Sequence, residues 1–150
     1  MTHLKIGDNA PNFDYTTSNG QQFSLENFKG KKVILYFYPK DNTPGCTDEA
    51  CNLRDNYNLL KQKGYEVIGV SPDSEKSHAN FSQKFQLPFD LVPDTDKKLL
   101  ESYGVWGEKK MYGKTYMGVN RTTFVIDETG KIDKIFEKVK VKDHTNQILE

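Results

Sequence analysis

One stretch of sequence carries most of the fold prediction: Val33-Ile-Leu-Tyr-Phe-Tyr38, followed at once by Pro39-Lys-Asp-Asn-Thr-Pro-Gly-Cys-Thr-Asp-Glu-Ala-Cys51. Its first six residues are aliphatic or aromatic without polar alternation, a pattern typical of a strand that is covered on both faces. Thr43 and Pro44 then predict the start of a helix, because threonine caps free amides and proline suits the first helical position. A buried strand that leads directly into a helix is the beginning of an α/β unit.

On both sides of this stretch, strands and helices are predicted to alternate. The apolar spacing predicts helices at 44–63, 74–85, 96–103 and from about 143, and strands at 67–71, 89–92, 122–126 and 131–137. Residues 105–119 are rich in Gly and Lys without a clear period and are predicted to form a loop. Alternating strands and helices predict an α/β fold with a central mixed β-sheet flanked by helices, an order compatible with a thioredoxin-like fold.

Length and composition restrict the function classes. The chain has 150 residues and is interpreted as a single domain, 1–150. Its 21 basic and 21 acidic residues give a formal net charge of +0, which argues against a nucleic-acid partner. No apolar stretch has the length of a membrane span, and the start lacks the apolar core of a signal peptide, so a cytoplasmic location without a membrane partner is predicted.

Cys46 is the candidate nucleophile. If Thr43 is the N-cap, Cys46 occupies the third helical position, where free backbone N–H groups and the positive end of the helix dipole stabilise a thiolate. The same place, between a strand end and a helix N-terminus, is where open α/β sheets position their sites. The alternative for a cysteine on a helix is a small buried hydrophobic residue, and this alternative stays open for Cys51.

A disulfide between Cys46 and Cys51 is not compatible with an intact helix. Five residues of ideal helix separate the two Cα atoms by ~8.6 Å and turn the side chains ~140° apart. Disulfides need Cα atoms less than about 7 Å apart, so the first one or two helical turns would have to unwind. A conditional, catalytic disulfide is therefore favoured over a structural one.

Other uses of the cysteines are weaker. A thioredoxin-type oxidoreductase would have C-x-x-C, whereas this chain has C-x4-C. Zinc needs about four ligands, and the three histidines show no ligand spacing to the cysteines. A Cys–His nucleophilic pair is disfavoured because His78 lies in a polar stretch and is predicted to face solvent.

Asp48 and Glu49 favour a helix N-terminus but oppose a thiolate at Cys46, which would therefore need a nearby cation. The chain has two arginines, Arg54 and Arg121. Arg121 begins the predicted strand at 122–126, which a thioredoxin-like sheet could bring beside Cys46. An ordinary surface arginine is an equal alternative.

Several motifs resemble the peroxiredoxins. Pro39, Thr43 and Cys46 form P-x-x-x-T-x-x-C, which is similar to the peroxiredoxin active-site signature, and the spacing to Cys51 resembles the bacterioferritin-comigratory-protein or peroxiredoxin Q branch. The resemblance covers nearly the whole chain, including the segments 7–13, 103–118, 120–127 and 139–142.

This resemblance implies a thiol peroxidase that reduces hydrogen peroxide and organic hydroperoxides in antioxidant defence. Cys46 would be the peroxidatic cysteine, which attacks the peroxide and becomes a sulfenic acid. Cys51 would be the resolving cysteine, which forms an intramolecular disulfide with Cys46 after local unfolding. Thioredoxin or a similar dithiol would reduce the bridge, and no cofactor or metal would be needed.

The resemblance also implies roles for four further residues. Thr43 would offer its hydroxyl to the thiolate and the peroxide, and Pro39 would shield the sulfur from water. Arg121 would stabilise the thiolate and steer the peroxide oxygens, and Glu49 would orient Arg121.

The sequence also leaves two alternative functions open and predicts an assembly state. A thiol–disulfide oxidoreductase or a redox-switched binding or holdase module would use the same two cysteines, but neither requires Pro39, Thr43 and Arg121 together. The absence of a net-charge bias and of a long exposed apolar stripe predicts a monomer.

Overall fold

The computed structural model describes residues 2–17 and 20–150; the single-domain prediction of 1–150 also includes Met1, Ser18 and Asn19, which lie outside the described residues. The strands are β1 (Asp14–Thr16), β2 (Gln22–Ser24), β3 (Lys32–Phe37), β4 (Tyr65–Ser71), β5 (Asp90–Pro93), β6 (Trp106–Met111), β7 (Lys114–Val119), β8 (Thr122–Ile126) and β9 (Ile132–Phe136). The α-helices are α1 (Pro44–Asp55), α2 (Tyr57–Gln62), α3 (Glu75–Phe85), α4 (Lys98–Ser102) and α5 (His144–Leu149).

Five strands form the central sheet in the order β5-β4-β3-β8-β9. β3 pairs in parallel with β4, and β4 with β5, whereas β8 is antiparallel to both β3 and β9. The predicted mixed sheet flanked by helices is thereby confirmed. Short helical connections produce the parallel half, and the turn between β8 and β9 produces the antiparallel edge.

Strand β3 is buried on both faces, as its unbroken apolar sequence predicts. Val33, Leu35 and Phe37 pack into one hydrophobic cluster, with Tyr103 and Phe124 among its members. The alternate residues pack into a second cluster that also contains Cys46, Ala50 and Leu53 of α1; they are Ile34, Tyr36 and Tyr38. The period of two in a strand thus ties the middle of the sheet to the helix that carries Cys46.

The predicted helix 44–63 is two helices, because the chain leaves helical geometry at Asn56. This residue has φ −108° and ψ 12°, and its side-chain amide donates to the carbonyl oxygen of Asn52 at 2.8 Å. Asparagine side chains compete in this way for backbone groups, and here the competition ends α1.

The prediction of a loop at residues 105–119 is wrong. β6 and β7 form an antiparallel hairpin, with Trp106 opposite Val119 and Met111 opposite Lys114. Its turn residues Tyr112 and Gly113 have φ 52° and 76°, as a tight two-residue hairpin turn requires. Alternation was hidden because most residues of the hairpin are exposed or half-buried on both faces. The short strands β1 and β2 were also not predicted.

The remaining elements lie within a few residues of their predicted bounds. Within residues 2–17 and 20–150, none of the helices combines the length and apolar character needed to span a bilayer.

Candidate active site

Cys46 lies in the first turn of α1, at the third helical position, with Thr43 as the N-cap and Pro44 as the first residue. This placement agrees with the sequence prediction. The cysteine is 1% exposed and lies against the sheet through the second hydrophobic cluster. The turn 38–43 connects the C-terminal end of β3 to the helix, so the thiol is held near the C-terminal end of the middle strand of the sheet.

The hydroxyl of Thr43 does not cap the helix, contrary to the capping argument. It donates instead to the carbonyl oxygen of Lys40 at 2.8 Å, and no side-chain cap bond is formed. The backbone of Thr43 has the extended geometry usual for an N-cap residue, so the absent cap bond reflects the bond to Lys40 and not the backbone. The side chain thereby closes the turn that leads from β3 to α1.

Arg121 is brought to Cys46 by strand pairing. β8 begins at Thr122, opposite Phe37 at the end of β3, so the residue before β8 lies beside the start of α1. The Nη2 atom of Arg121 donates to Cys46 Sγ at 3.2 Å, and its Nη1 atom donates to Glu49 Oε1 at 2.6 Å. One planar guanidinium therefore contacts both the thiol and the carboxylate.

Gly45 makes room for this arginine, a role that the sequence argument missed. A Cβ atom at Gly45 would lie 3.3 Å from Arg121 Nη2, closer than ordinary van der Waals contact. The signal in the sequence was its position beside Cys46, but only the folded chain shows what occupies the space.

Glu49 is fully buried, one turn of helix after Cys46. Burial raises the pKa of its carboxyl to about 7, although the charge and hydrogen bond of Arg121 act to lower it. Its second oxygen, Oε2, has no hydrogen-bond partner among the described residues and lies 3.7 Å from Nε2 of the buried His144. This contact with α5 was not predicted.

We expect Glu49 to make the protein less stable as the pH rises. Its pKa is about 7 in the folded chain against 4.5 for an ordinary glutamate, so the folded state holds the proton more tightly. The resulting loss of unfolding free energy develops between pH 4.5 and pH 7 and is on the order of 3 kcal/mol. Urea unfolding under reducing conditions from about pH 5 to about pH 8 measures it. Glu49→Gln should flatten this decline, whereas the exposed-site control Glu26→Gln should keep it; equal slopes in all three proteins would contradict the effect.

Cys51 is half-buried on the same helix, and burial is the largest cause of the raised pKa of its thiol. Both cysteines are free, and α1 is continuous between them. The helical separation of ~8.6 Å therefore applies to this form of the protein, and a Cys46–Cys51 disulfide requires α1 to unwind.

Pro39 is half-buried directly after β3, in the same turn as Thr43. The structure thus brings together Cys46, Arg121 and Glu49 by direct contact, and places Thr43 and Pro39 in the turn that precedes Cys46. Shielding of the sulfur by Pro39 stays a prediction.

The prediction that His78 faces solvent is wrong. Its side chain is buried: Nδ1 lies 2.7 Å from Asp41 Oδ2 and Nε2 lies 3.0 Å from the carbonyl oxygen of Val92. His78 and Phe81, three residues apart, form the inward face of α3. That spacing was the available signal, obscured by the polar residues around His78.

Among the described residues, one group brings three potential metal-ligating atoms within 4.8 Å of one another: Asp41, Asp73 and His78. All three side chains already have hydrogen-bond partners in the protein. The group is satisfied without an ion, so we assign no metal to it. That the reaction needs no cofactor stays a prediction.

The fold and the site together define a class. A mixed sheet whose middle strand leads into a helix with a cysteine in its first turn, beside an arginine, is that of a thioredoxin-fold protein with a reactive thiol. The sequence model of the AhpC/TSA family matches residues 6–135, and the chain belongs to this family.

Relatives refine this assignment to the branch that the motifs resemble. The putative peroxiredoxin bcp of Coxiella burnetii is 49% identical over 97% of both chains, and peroxiredoxin Bcp of Bacillus subtilis is 46% identical over 98% of this chain and 94% of its own. A cysteine-to-serine mutant of Xylella fastidiosa PrxQ superimposes with a TM-score of 0.92 at 35% identity, over 99% of this chain and 95% of its own. The protein is a thiol peroxidase, and the predicted peroxiredoxin resemblance is confirmed.

Proposed function

We propose that Cys46 is the peroxidatic cysteine and that the protein reduces hydrogen peroxide and organic hydroperoxides. The observation that carries this assignment is the guanidinium of Arg121, which donates to Cys46 Sγ at 3.2 Å while it is fixed by Glu49. A cation in this position stabilises a thiolate, and its remaining N–H groups are donors for peroxide oxygens. A solved relative, the bacterioferritin comigratory protein of Xanthomonas campestris, is 39% identical with a TM-score of 0.85 and has alkyl peroxide reduction activity.

In the first step the Cys46 thiolate attacks the terminal oxygen of the hydroperoxide. The S–O bond forms as the O–O bond breaks, so sulfur is oxidised to sulfenic acid and the alkoxide or hydroxide takes up a proton to leave as alcohol or water. Thr43 and Pro39 lie in the turn before α1, beside the path by which the peroxide would reach Cys46. Glu49 is a positioning residue in this step, because it acts through Arg121.

In the second step the thiol of Cys51 attacks the sulfenic sulfur of Cys46. A disulfide forms and water is released, after the segment of α1 between the two cysteines has unwound. Thioredoxin or a similar dithiol then reduces the disulfide through a mixed disulfide. The proposal places this cycle in one monomeric domain of residues 1–150 in a reducing cytoplasm, as part of antioxidant defence.

Intact mass with thiol alkylation tests the cycle directly. After one equivalent of hydrogen peroxide, the reduced protein should lose two mass units and both alkylation sites. Cys51→Ser should instead gain one oxygen on Cys46, because the first step remains and the resolving thiol is absent. Its turnover with thioredoxin should stop unless an added thiol resolves the sulfenic acid; undiminished turnover would refute the role of Cys51.

The oxidoreductase and holdase alternatives use the same cysteines without a peroxide step. The relatives favour neither of them. Purified reduced protein that consumed no peroxide within seconds would contradict the peroxidase cycle and restore these alternatives.

A further inference from the structure

The turn between β3 and α1 is anchored by α3, an element outside the proposed catalytic group. Its anchor is Asp41, a charged residue that is only 7% exposed. Asp41 Oδ1 accepts a hydrogen bond from Tyr38 at 2.6 Å, and Oδ2 accepts one from the hydroxyl of Ser77 at 2.8 Å. The backbone N–H of Asp41 donates to Asp73 Oδ2 at 2.7 Å.

His78 completes this set of contacts and ties it to the sheet. We call the set the clamp; it consists of Tyr38, Asp41, Asp73, Ser77 and His78. The Nε2 atom of His78 lies 3.0 Å from the carbonyl oxygen of Val92 in β5, so the imidazole links the turn to the sheet. Its Nδ1 lies 2.7 Å from Asp41 Oδ2. Burial acts to raise the pKa of Asp41, but the hydrogen bonds from His78, Tyr38 and Ser77 outweigh it and lower the pKa. The carboxylate is therefore held as an ionised acceptor of several donors.

The clamped turn includes a residue with a left-handed backbone conformation. Asn42, next to Asp41, has φ 60°, which is uncommon for a residue other than glycine. Its side chain is held in turn by Lys84 of α3, whose Nζ donates to Asn42 Oδ1 at 3.1 Å. Such conformations persist where the surrounding contacts over-determine them, and they cluster at functional sites.

We propose that Ser77 and His78 are positioning residues for peroxide reduction, because through Asp41 they hold the turn that sets Pro39, Thr43 and the start of α1. This inference rests on the proposed role of Cys46. Within the described residues, neither side chain contacts Cys46 or Arg121. Their effect on the rate of peroxide reduction is transmitted by the turn. Thr43, hydrogen-bonded to Lys40 in the same turn, is the link from the clamp to the first residue of the helix.

The two chemical steps respond differently if this inference is right. Attack on peroxide requires the folded turn with Cys46 beside Arg121, so a loosened clamp slows it. Disulfide formation requires the start of α1 to unwind, so a loosened clamp leaves that step equal or faster. A purely structural contribution would lower the unfolding free energy without a selective loss in the first step.

The experiment compares two serine variants of α3. Ser77→Ala removes a donor to Asp41, whereas Ser82→Ala removes a hydroxyl of the same helix whose partner is the carbonyl oxygen of Leu87, away from the turn. The rate constant for Cys46 oxidation by hydrogen peroxide should fall about 3- to 10-fold in Ser77→Ala, less than the full effect of one hydrogen bond to a charged group, because the turn transmits only part of it to Cys46. It should stay within about twofold of wild type in Ser82→Ala, and Ser77→Thr, which restores the hydroxyl, should recover the rate.

His78→Gln, measured beside them, should lower the same rate constant by more than Ser77→Ala, with no fall in the rate of disulfide formation. If this buried substitution prevents folding, the serine variants decide. Equal rates in wild type and Ser77→Ala, or equal losses in Ser77→Ala and Ser82→Ala, overturn the clamp. A wild-type Cys46 that does not react with peroxide overturns the proposed function instead, so the two failures are distinguishable.

Discussion

Cys46→Ser should reduce peroxide consumption to the level of buffer, a loss of at least about 1,000-fold, since a serine oxygen cannot supply the two electrons that sulfur gives up when a thiolate becomes a sulfenic acid. In the structure this thiol accepts the hydrogen bond from Arg121 Nη2, so the substitution removes the sulfur that the arginine contacts. Peroxide consumption over a few seconds, with a dithiol reductant present, measures the loss. The fold should survive because cysteine and serine differ by one atom, and thermal unfolding checks this.

The control for this variant is its partner cysteine. Cys51→Ser should keep the full first equivalent of peroxide reduction and lose only the recycling that needs a disulfide. The two thiols differ in surroundings: Cys46 is buried against the arginine, whereas Cys51 is half-buried and burial raises the pKa of its thiol. The reverse result, with first-step activity lost in Cys51→Ser and kept in Cys46→Ser, would exchange their roles.

The sequence was sufficient for the parts of the fold in which local pattern and packing agree. Val33 to Tyr38 lacks polar residues because both faces of β3 are covered, and Pro44 at the first helical position marks the helix start correctly although Thr43 makes no side-chain cap bond. The position of Cys46 in the first turn could therefore be predicted to the residue. The hairpin of β6 and β7 could not, because its side chains are mostly exposed and carry no alternating pattern.

Contacts between distant segments were predictable only in outline. The need for a cation near Cys46 followed from Asp48 and Glu49, and the predicted sheet offered Arg121 with an ordinary surface arginine as an equal alternative; strand pairing in the folded chain decides between the two. The burial of His78 depends on Asp41, 37 residues earlier, and no local spacing encodes that pair. Side chains that are buried because another segment offers a polar partner look exposed in the sequence.

Arg121→Lys should lower the rate constant for Cys46 oxidation by about 10- to 100-fold, although it keeps the positive charge. The guanidinium donates through two different nitrogens, Nη2 to Cys46 Sγ at 3.2 Å and Nη1 to Glu49 Oε1 at 2.6 Å. An ammonium group is a compact point charge on a flexible stem and cannot keep this fork geometry. Stopped-flow measurement of the reduced protein with hydrogen peroxide determines the rate constant.

Arg54→Lys is the matched control, since Arg54 is the other arginine of the chain and lies on α1. It pairs with Asp55 and with the carbonyl oxygen of Phe85, away from Cys46, so its replacement should leave the first step unchanged. Arg121→Met, which removes the charge as well, should react more slowly than Arg121→Lys. If lysine at position 121 supported the wild-type rate while methionine did not, charge alone would be sufficient and the fork geometry would have no part in the reaction. If Arg121→Lys and Arg121→Met both reacted like wild type, as the control Arg54→Lys should, Arg121 would not be the group that activates Cys46.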